Sequence, residues 1–206
     1  MSKEILKQVD QYYTDKIVKH GATPRGVDWN GEESQTMRFN QLLKVTEDET
    51  EPFSMLDFGC GYGALLEFMS LSSNSKIDYT GFDISKEMIL SARNKFGDSF
   101  KFIDDLKSDL IYDFALASGI FNVKQNVSSD EWESYVLTTL HELNRISRKG
   151  FSFNILTSYS DKEYMHDYLY YASPENLFSF CKKHFSKRVA LLHDYPLYEF
   201  TIIVKK

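Results

Sequence analysis

Leu56-Asp-Phe-Gly-Cys-Gly-Tyr-Gly63 joins two segments of different rhythm. Ahead of its turn, Phe53-Ser-Met-Leu-Asp-Phe58 is a short apolar run of the kind that forms a buried strand. Behind it, Ala64-Leu-Leu-Glu-Phe-Met69 has helical spacing. Gly59, Gly61 and Gly63 therefore fall in a strand-to-helix turn, where missing side chains let a ligand approach the backbone and lie at a helix N-terminus. Asp83 closes the next apolar run, twenty residues after Gly63, where a carboxylate suits ribose hydroxyls.

The alternation continues along the chain. Ile77 to Phe82 reads as a strand, Ser85 as the cap of a helix reaching Phe96 and Gly97 as its stop. Strands follow at Phe100 to Ile103 and Tyr112 to Ala117. Ser128-Ser-Asp-Glu131 is a capping box opening a helix to about Arg148. Gly150 to Thr157 is a further strand, and Ser173-Pro174 opens another helix. The last two strands, about Arg188 to His193 and Tyr198 to Val204, are too close for a parallel crossover and must form an antiparallel hairpin. Strands alternating with helices imply a doubly wound α/β fold with a mostly parallel sheet. Two helices, Ser2 to Lys19 and Glu32 to Val45, precede this core. One domain over residues 1–206 is expected, with 1–50 a helical lid region and 53–206 the core.

Composition excludes several classes. The chain has 206 residues, 42% hydrophobic, with a net charge of -6. That balance argues against broad binding to nucleic acid, which relies on clustered Lys and Arg. No apolar run approaches the roughly 20 residues of a membrane span, and the N-terminus lacks the apolar stretch of a signal peptide. Two cysteines, Cys60 and Cys181, make neither a disulfide framework nor a four-ligand zinc site, and a cytoplasmic setting is expected. The five histidines show no metal-ligand spacing, so no metal is expected.

Two cofactor classes compete for the glycine turn. Gly59-x-Gly61-x-x-Ala64 satisfies the dinucleotide pattern of nicotinamide enzymes. Three features favour S-adenosylmethionine instead. Asp57 precedes the glycines, where an acid can face an ammonium group but is of no use to a pyrophosphate. A partly helical lead-in of about fifty residues precedes the first strand, and the chain closes with a hairpin.

With these motifs in order, the sequence resembles the class I S-adenosylmethionine-dependent methyltransferases. Leu56 to Gly63 resembles their first motif, Tyr79 to Ser85 the second, Phe102 to Asp105 the third and Asp113 to Ile120 the fourth. His193 to Phe200 resembles the final hairpin of small-molecule members. The resemblance implies a Rossmann-like seven-stranded sheet, order 3-2-1-4-5-7-6, with strand 7 antiparallel. It also implies roles. Backbone at Gly59, Cys60 and Gly61 passes beneath the methionine portion, and Asp57 meets its amino group. Asp83 takes the ribose hydroxyls and Ile84 packs on adenine. Asp104 lies near the adenine amine, with Asp105 the alternative one residue on. Ser118 lies near the transferable methyl.

The acceptor side is read from two other stretches. Ser158 to Ala172 holds five of the 13 tyrosines together with His166. Tyr168 and Tyr171 are expected to line a wall, with His166 the candidate base. Trp29, in the polar loop Pro24 to Trp29, is expected to cover the site, and Arg38 to pair with the cofactor carboxylate. Ala117 to Asn122 lacks the Asn/Asp-Pro-Pro-aromatic signature of methyltransferases acting on nucleic-acid amines. The expectation is therefore a small-molecule acceptor methylated on oxygen, with a nicotinamide oxidoreductase or a non-catalytic cofactor-binding subunit as alternatives.

Overall fold

The short apolar runs form strands because they are buried on both faces, as a parallel sheet between helices requires. The computed structural model describes residues 3–29, 31–70 and 77–206. Two helices, α1 (Lys3–His20) and α2 (Glu32–Leu43), lead into β1 (Phe53–Phe58), α3 (Ala64–Ser70), β2 (Ile77–Phe82), α4 (Lys86–Phe96), β3 (Lys101–Ile103) and β4 (Tyr112–Ala117). Then come α5 (Ser129–Ile146), β5 (Ser147–Leu156), α6 (Pro174–His184), β6 (Arg188–Leu192) and β7 (Glu199–Lys205). The strands make one seven-stranded sheet in the order β3-β2-β1-β4-β5-β7-β6. β7 runs antiparallel to both β5 and β6, and the other pairings are parallel. This is the architecture that the motif order implied.

Helices cover both faces. On one, Trp132, Val136, Leu140 and Leu143 of α5 and Leu177 of α6 pack on Phe151, Phe153 and Phe200. On the other, Phe39 and Leu42 of α2, Leu65 of α3 and Ile89 of α4 pack on Met55, Phe114 and Ile203. Three helices are capped by the serines expected from sequence. The side chains of Ser85, Ser128 and Ser173 accept from the backbone N–H of Met88, Glu131 and Asn176. Each cap contributes about 1 kcal/mol.

Several boundaries differ from expectation. α5 ends at Ile146 rather than near Arg148, because Ser147 already pairs with Tyr112 as the first residue of β5. α2 ends at Leu43 rather than at Val45, and buries Gln35, Phe39 and Leu42. α1 buries Ile5, Val9 and Ile17, while Tyr12 and Tyr13 are half-buried; the expected start at Ser2 lies outside the described residues. Residues 158–172 form an irregular segment with one short turn at Lys162–Tyr164. It is pinned at both ends, by a Thr157–Ala172 bridge and a Val123–Leu169 bridge. No described helix is long and apolar enough to cross a membrane.

Candidate functional site

The order of strands reverses direction between β1 and β4, and in open α/β sheets ligands bind at that switch point, beyond the carboxyl ends of the strands. The glycine turn leaves β1 there. Gly59 has φ 82°, and a Cβ on it would lie 2.3 Å from Ile120 Cγ2, so both conformation and space require glycine. Beside it lies a cavity of about 250 Å³, lined by Gly59, Gly61, Asp83, Ile84, Leu106 and Ser118 below and by Val9, Tyr13, Val27 and Trp29 above. A narrow cleft continues from it past Gln35, Asp57, Cys60 and Tyr62.

Two carboxylates mark this space. Asp57 is buried, and its carboxylate accepts the Tyr79 hydroxyl at 2.7 Å. Burial pushes its pKa up to about 7, against the lowering effect of that hydrogen bond. Asp83 accepts backbone N–H groups from Gly61 and Ser85, both at 2.9 Å. Burial raises it to about 6, although these two bonds pull it down. Each oxygen of Asp83 has one backbone partner and retains lone-pair capacity toward the cavity. The Ser118 hydroxyl is buried without a partner.

These groups fit S-adenosylmethionine. Apolar Ile84 and Leu106 suit an adenine, Asp83 a diol, and the Asp57 end of the cleft an ammonium. Cys60 is a packing residue: its thiol is buried beside the Gly61 carbonyl, and burial holds its pKa well above the ordinary value. Gly63 lines neither the cavity nor the cleft; a Cβ there would lie 2.6 Å from the Phe96 ring. Asp104 and Asp105 are exposed on a bend and line neither space, while their neighbour Leu106 does. The third-motif register thus brings an apolar side chain, not an acid, to the wall.

The roof comes from the N-terminal region. The Tyr12 hydroxyl and the Lys16 ammonium both donate to Asp28, at 2.7 and 2.5 Å, closing α1 onto the Pro24–Val27 turn. Thr14 and Ser85 share a hydrogen bond of 2.7 Å that ties α1 to the start of α4. Trp29 then lies across Gly119. A Cβ at Gly119, whose φ is 72°, would sit 2.6 Å from the Trp29 ring.

Arg38 is placed otherwise than expected. Its Nε and Nη2 donate to the two oxygens of Glu199, at 2.7 and 2.5 Å, and its guanidinium lies 4.0 Å from the Trp29 ring centre. Glu199 is buried at the start of β7 and also accepts from Asn154 Nδ2. Asn154 Oδ1 accepts the Gly119 N–H at 2.9 Å. Arg38 lines neither the 250 Å³ cavity nor the cleft. It lines a second cavity of about 440 Å³, together with Asn122, Ser160, Tyr164, His166, Tyr168, Tyr171, Tyr198 and Glu199. Tyr13, Val27, Trp29 and Gly119 line both cavities. His166 is exposed at this second wall, its ring stacked on Tyr168 at 5.6 Å between centres. Glu199, Asn154, Tyr198 and Gln35 were not singled out as site residues by the sequence reading. For Glu199 a signal existed: an acid opening the apolar strand Phe200 to Val204 needs a cationic partner. Among the described residues no cluster of three or more His, Cys, Asp or Glu side chains could hold a metal ion.

A family model described as a methyltransferase domain matches residues 38–199. The chain belongs to this methyltransferase-domain family. Rv1506c of Mycobacterium tuberculosis (strain ATCC 25618 / H37Rv), which bears a methyltransferase name, is 51% identical over 158 residues, covering 76% of this chain and 95% of that protein. Among solved structures, the DhpI–SAH complex shares the fold with a TM-score of 0.69 at 14% identity, covering 100% of this chain and 98% of that one. The plantazolicin methyltransferase BpumL, solved with SAH and a pentazolic desmethylPZN analog, has a TM-score of 0.59 at 16% identity, with 98% and 99% covered. Membership of the methyltransferase family removes the nicotinamide alternative.

Proposed function

We propose that this methyltransferase moves a methyl group from S-adenosylmethionine to an oxygen of a small-molecule acceptor. The observation that carries the reading is the meeting of two cavities of unlike chemistry at Trp29 and Gly119. The smaller holds Asp83, and the cleft continuing from it Asp57, two carboxylates with no cationic partner in the hydrogen bonds they make. The larger has Tyr, His and amide side chains, and its Arg38 and Asp28 are already paired within the protein. A second cavity of that size beside the donor site also argues against a merely cofactor-binding subunit. SAH or SAM accompanies several of the structures of this fold, and free buried Cys60 and Cys181 suit a reducing, cytoplasmic setting.

Bound S-adenosylmethionine supplies an electrophilic methyl on a good leaving group. The protein's work is to hold the acceptor in line with it, which contributes several kcal/mol by proximity. Asp57 and Asp83 hold the donor, with Gly59 and Gly61 beneath it. Ser118 and Gly119 lie where the donor and acceptor cavities adjoin. His166 accepts the proton that an acceptor hydroxyl loses as its oxygen gains the methyl carbon. Calorimetric titration with S-adenosylmethionine tests the donor half; no binding at millimolar ligand overturns it. For the acceptor half, His166→Ala should lower turnover while leaving donor affinity unchanged, and an unaltered turnover would remove His166 as the base.

A further inference from the structure

The 440 Å³ cavity carries open aromatic rings. Tyr164, Tyr168 and Tyr198 all line it and are 57%, 43% and 43% exposed. Large apolar surface left open around one concave site marks a place where a ligand binds. The rings are held in place. Tyr164 packs on Tyr198 with 5.8 Å between centres, and the Tyr198 hydroxyl donates to Asp161 at 2.5 Å. Tyr168 stacks on His166, the two planes 21° apart. Desolvation and then Asp28 raise the pKa of the Tyr168 hydroxyl, so this ring reaches from residues 158–172 toward the roof that Asp28 belongs to. Preformed ring surface of this kind suits another flat ring, which gains from stacking or edge contact beyond the area it buries.

Charge narrows the class. Asp28 is paired with Lys16 and Arg38 with Glu199, and no unpaired Lys or Arg is among the described lining residues. A carboxylate or phosphate would enter with no cation to meet it. His166 must be neutral if it is to take a proton, so it offers no charge either. The proton narrows the class further. The His166 ring stacks on Tyr168 and has no carboxylate behind it among the described residues, so nothing there stabilises the imidazolium it would become. Such a base suits an acidic hydroxyl, and a phenol, with an ordinary pKa of about 10, yields its proton far more readily than an alkyl alcohol. Resting on the proposed transfer to an oxygen of a small molecule, we infer that the acceptor is an uncharged phenol whose ring system lies against Tyr164, Tyr168 and Tyr198. The step balances: the phenol O–H bond breaks as O–CH3 forms, the proton passes to the His166 imidazole, and the electron pair of the broken S–CH3 bond stays on sulfur.

Three probes test this by calorimetry on the full chain saturated with S-adenosylhomocysteine. They are 2-naphthol, its saturated counterpart 2-decalol, and 6-hydroxy-2-naphthoate, which adds an anion. The naphthol should bind at least tenfold more tightly than either of the others. In Tyr164→Leu/Tyr198→Leu its advantage over the decalol should shrink to within about threefold, with affinity for S-adenosylhomocysteine unchanged. A merely structural role for the two rings would weaken both alcohols alike and leave their ratio as it was. Tyr168→Leu serves as the second variant should the double substitution disturb folding, and the same loss of preference is expected. The inference is overturned if the decalol binds as tightly as the naphthol, if the naphthoate binds tightest, or if the preference for the aromatic ring survives these substitutions. Those outcomes leave a small-molecule acceptor standing. Binding of S-adenosylhomocysteine with no binding of any probe overturns the small-molecule reading and this inference together, and failure of S-adenosylhomocysteine to bind overturns the donor reading as well.

Discussion

The two cavities are built by opposite means. The smaller cavity and its cleft, proposed for the donor, draw their polar groups from neighbouring motifs: Asp57 and Gly59 to Gly61 lie within five residues, and Asp83 directly follows the adjacent strand. The acceptor cavity gathers α2, the turn after β4, residues 158–172 and the start of β7, and its central ion pair joins residues 161 apart. They also handle charge differently. In the smaller site buried Asp57 has a tyrosine hydroxyl and half-buried Asp83 two backbone N–H groups, none of them a cation, and their pKa values rise to about 7 and about 6. In the acceptor cavity Glu199 meets a guanidinium bidentately. On the proposed reading, the underpaired acids of the smaller site suit a cationic ligand, while the acids of the larger are already paired within the protein.

The largest test of that contrast is Asp57→Asn. An aspartate with a folded pKa of about 7 against 3.8 unfolded stays protonated in the folded chain while the unfolded chain ionises. Its burial therefore costs nothing below about pH 4, and the cost grows as pH rises to about 7 and then levels off. Removing the charge should stabilise the ligand-free protein at pH 8 by roughly 2–4 kcal/mol, with the gap closing toward pH 4. Thermal unfolding across that range measures it. The native chain should also bind S-adenosylmethionine more tightly as pH rises through 7, and Asp57→Asn should bind it weakly and without that dependence. A variant no more stable at pH 8 than at pH 4, relative to the native chain, would mean that Asp57 has a charged partner after all.

Asp83→Ala should weaken S-adenosylmethionine binding by roughly 1.5–3 kcal/mol, since hydrogen bonds to an ionised acceptor are lost. The fold should survive, because Gly61, whose N–H is released, lines the cavity, and the Ser85 hydroxyl still caps the following helix through the Met88 N–H. Affinity for an acceptor probe should be unchanged. Unchanged donor affinity in the folded variant would remove the ribose assignment.

How far each cavity was legible follows from the same contrast. The strand–helix alternation, the closing hairpin and the glycine turn could be read because they rest on local runs and spacings, whereas the sheet order followed only from the resemblance in motif order. Asp104 and Asp105 misled because a one-residue register at a strand end decides which side chain meets the wall, and that register is set by β2–β3 pairing at Phe82 and Ile103. Arg38 was expected to pair with the cofactor carboxylate; within the protein its partner is Glu199 at the start of β7, a pairing across the chain that no local spacing encodes. Residues 158–172 were marked by their tyrosines, three of which line the larger cavity, but their irregular course depends on bridges to Val123 and to Thr157, which no periodicity encodes.

Gly119→Ala acts on the boundary between the two cavities. The added Cβ would meet the Trp29 ring at 2.6 Å, in a backbone conformation that side chains rarely adopt. The strain should cost about 1–3 kcal/mol of stability, and displacement of Trp29 should weaken donor and acceptor probes together. Unfolding curves and paired titrations check this. If only one ligand is affected, the indole belongs to that ligand's cavity alone.

The smallest expected effect is the most discriminating about the roof. Tyr12→Phe removes one hydrogen bond, the hydroxyl's donation to Asp28, and leaves Lys16 on the same carboxylate. A single partly buried bond to a charged acceptor is worth about 1–2 kcal/mol, and here only the share that closes α1 onto the Pro24–Val27 turn is lost. That closure places Tyr13 and Val27, which line both cavities. Donor and acceptor affinities should therefore fall by the same small factor, about two- to fivefold, with no new pH dependence because neither Asp57 nor Asp83 is touched. Loss of donor affinity alone would mean that α1 is a lid for the cofactor only. The acceptor cavity would then be walled by the core and the tyrosine segment without help from the N-terminal helix.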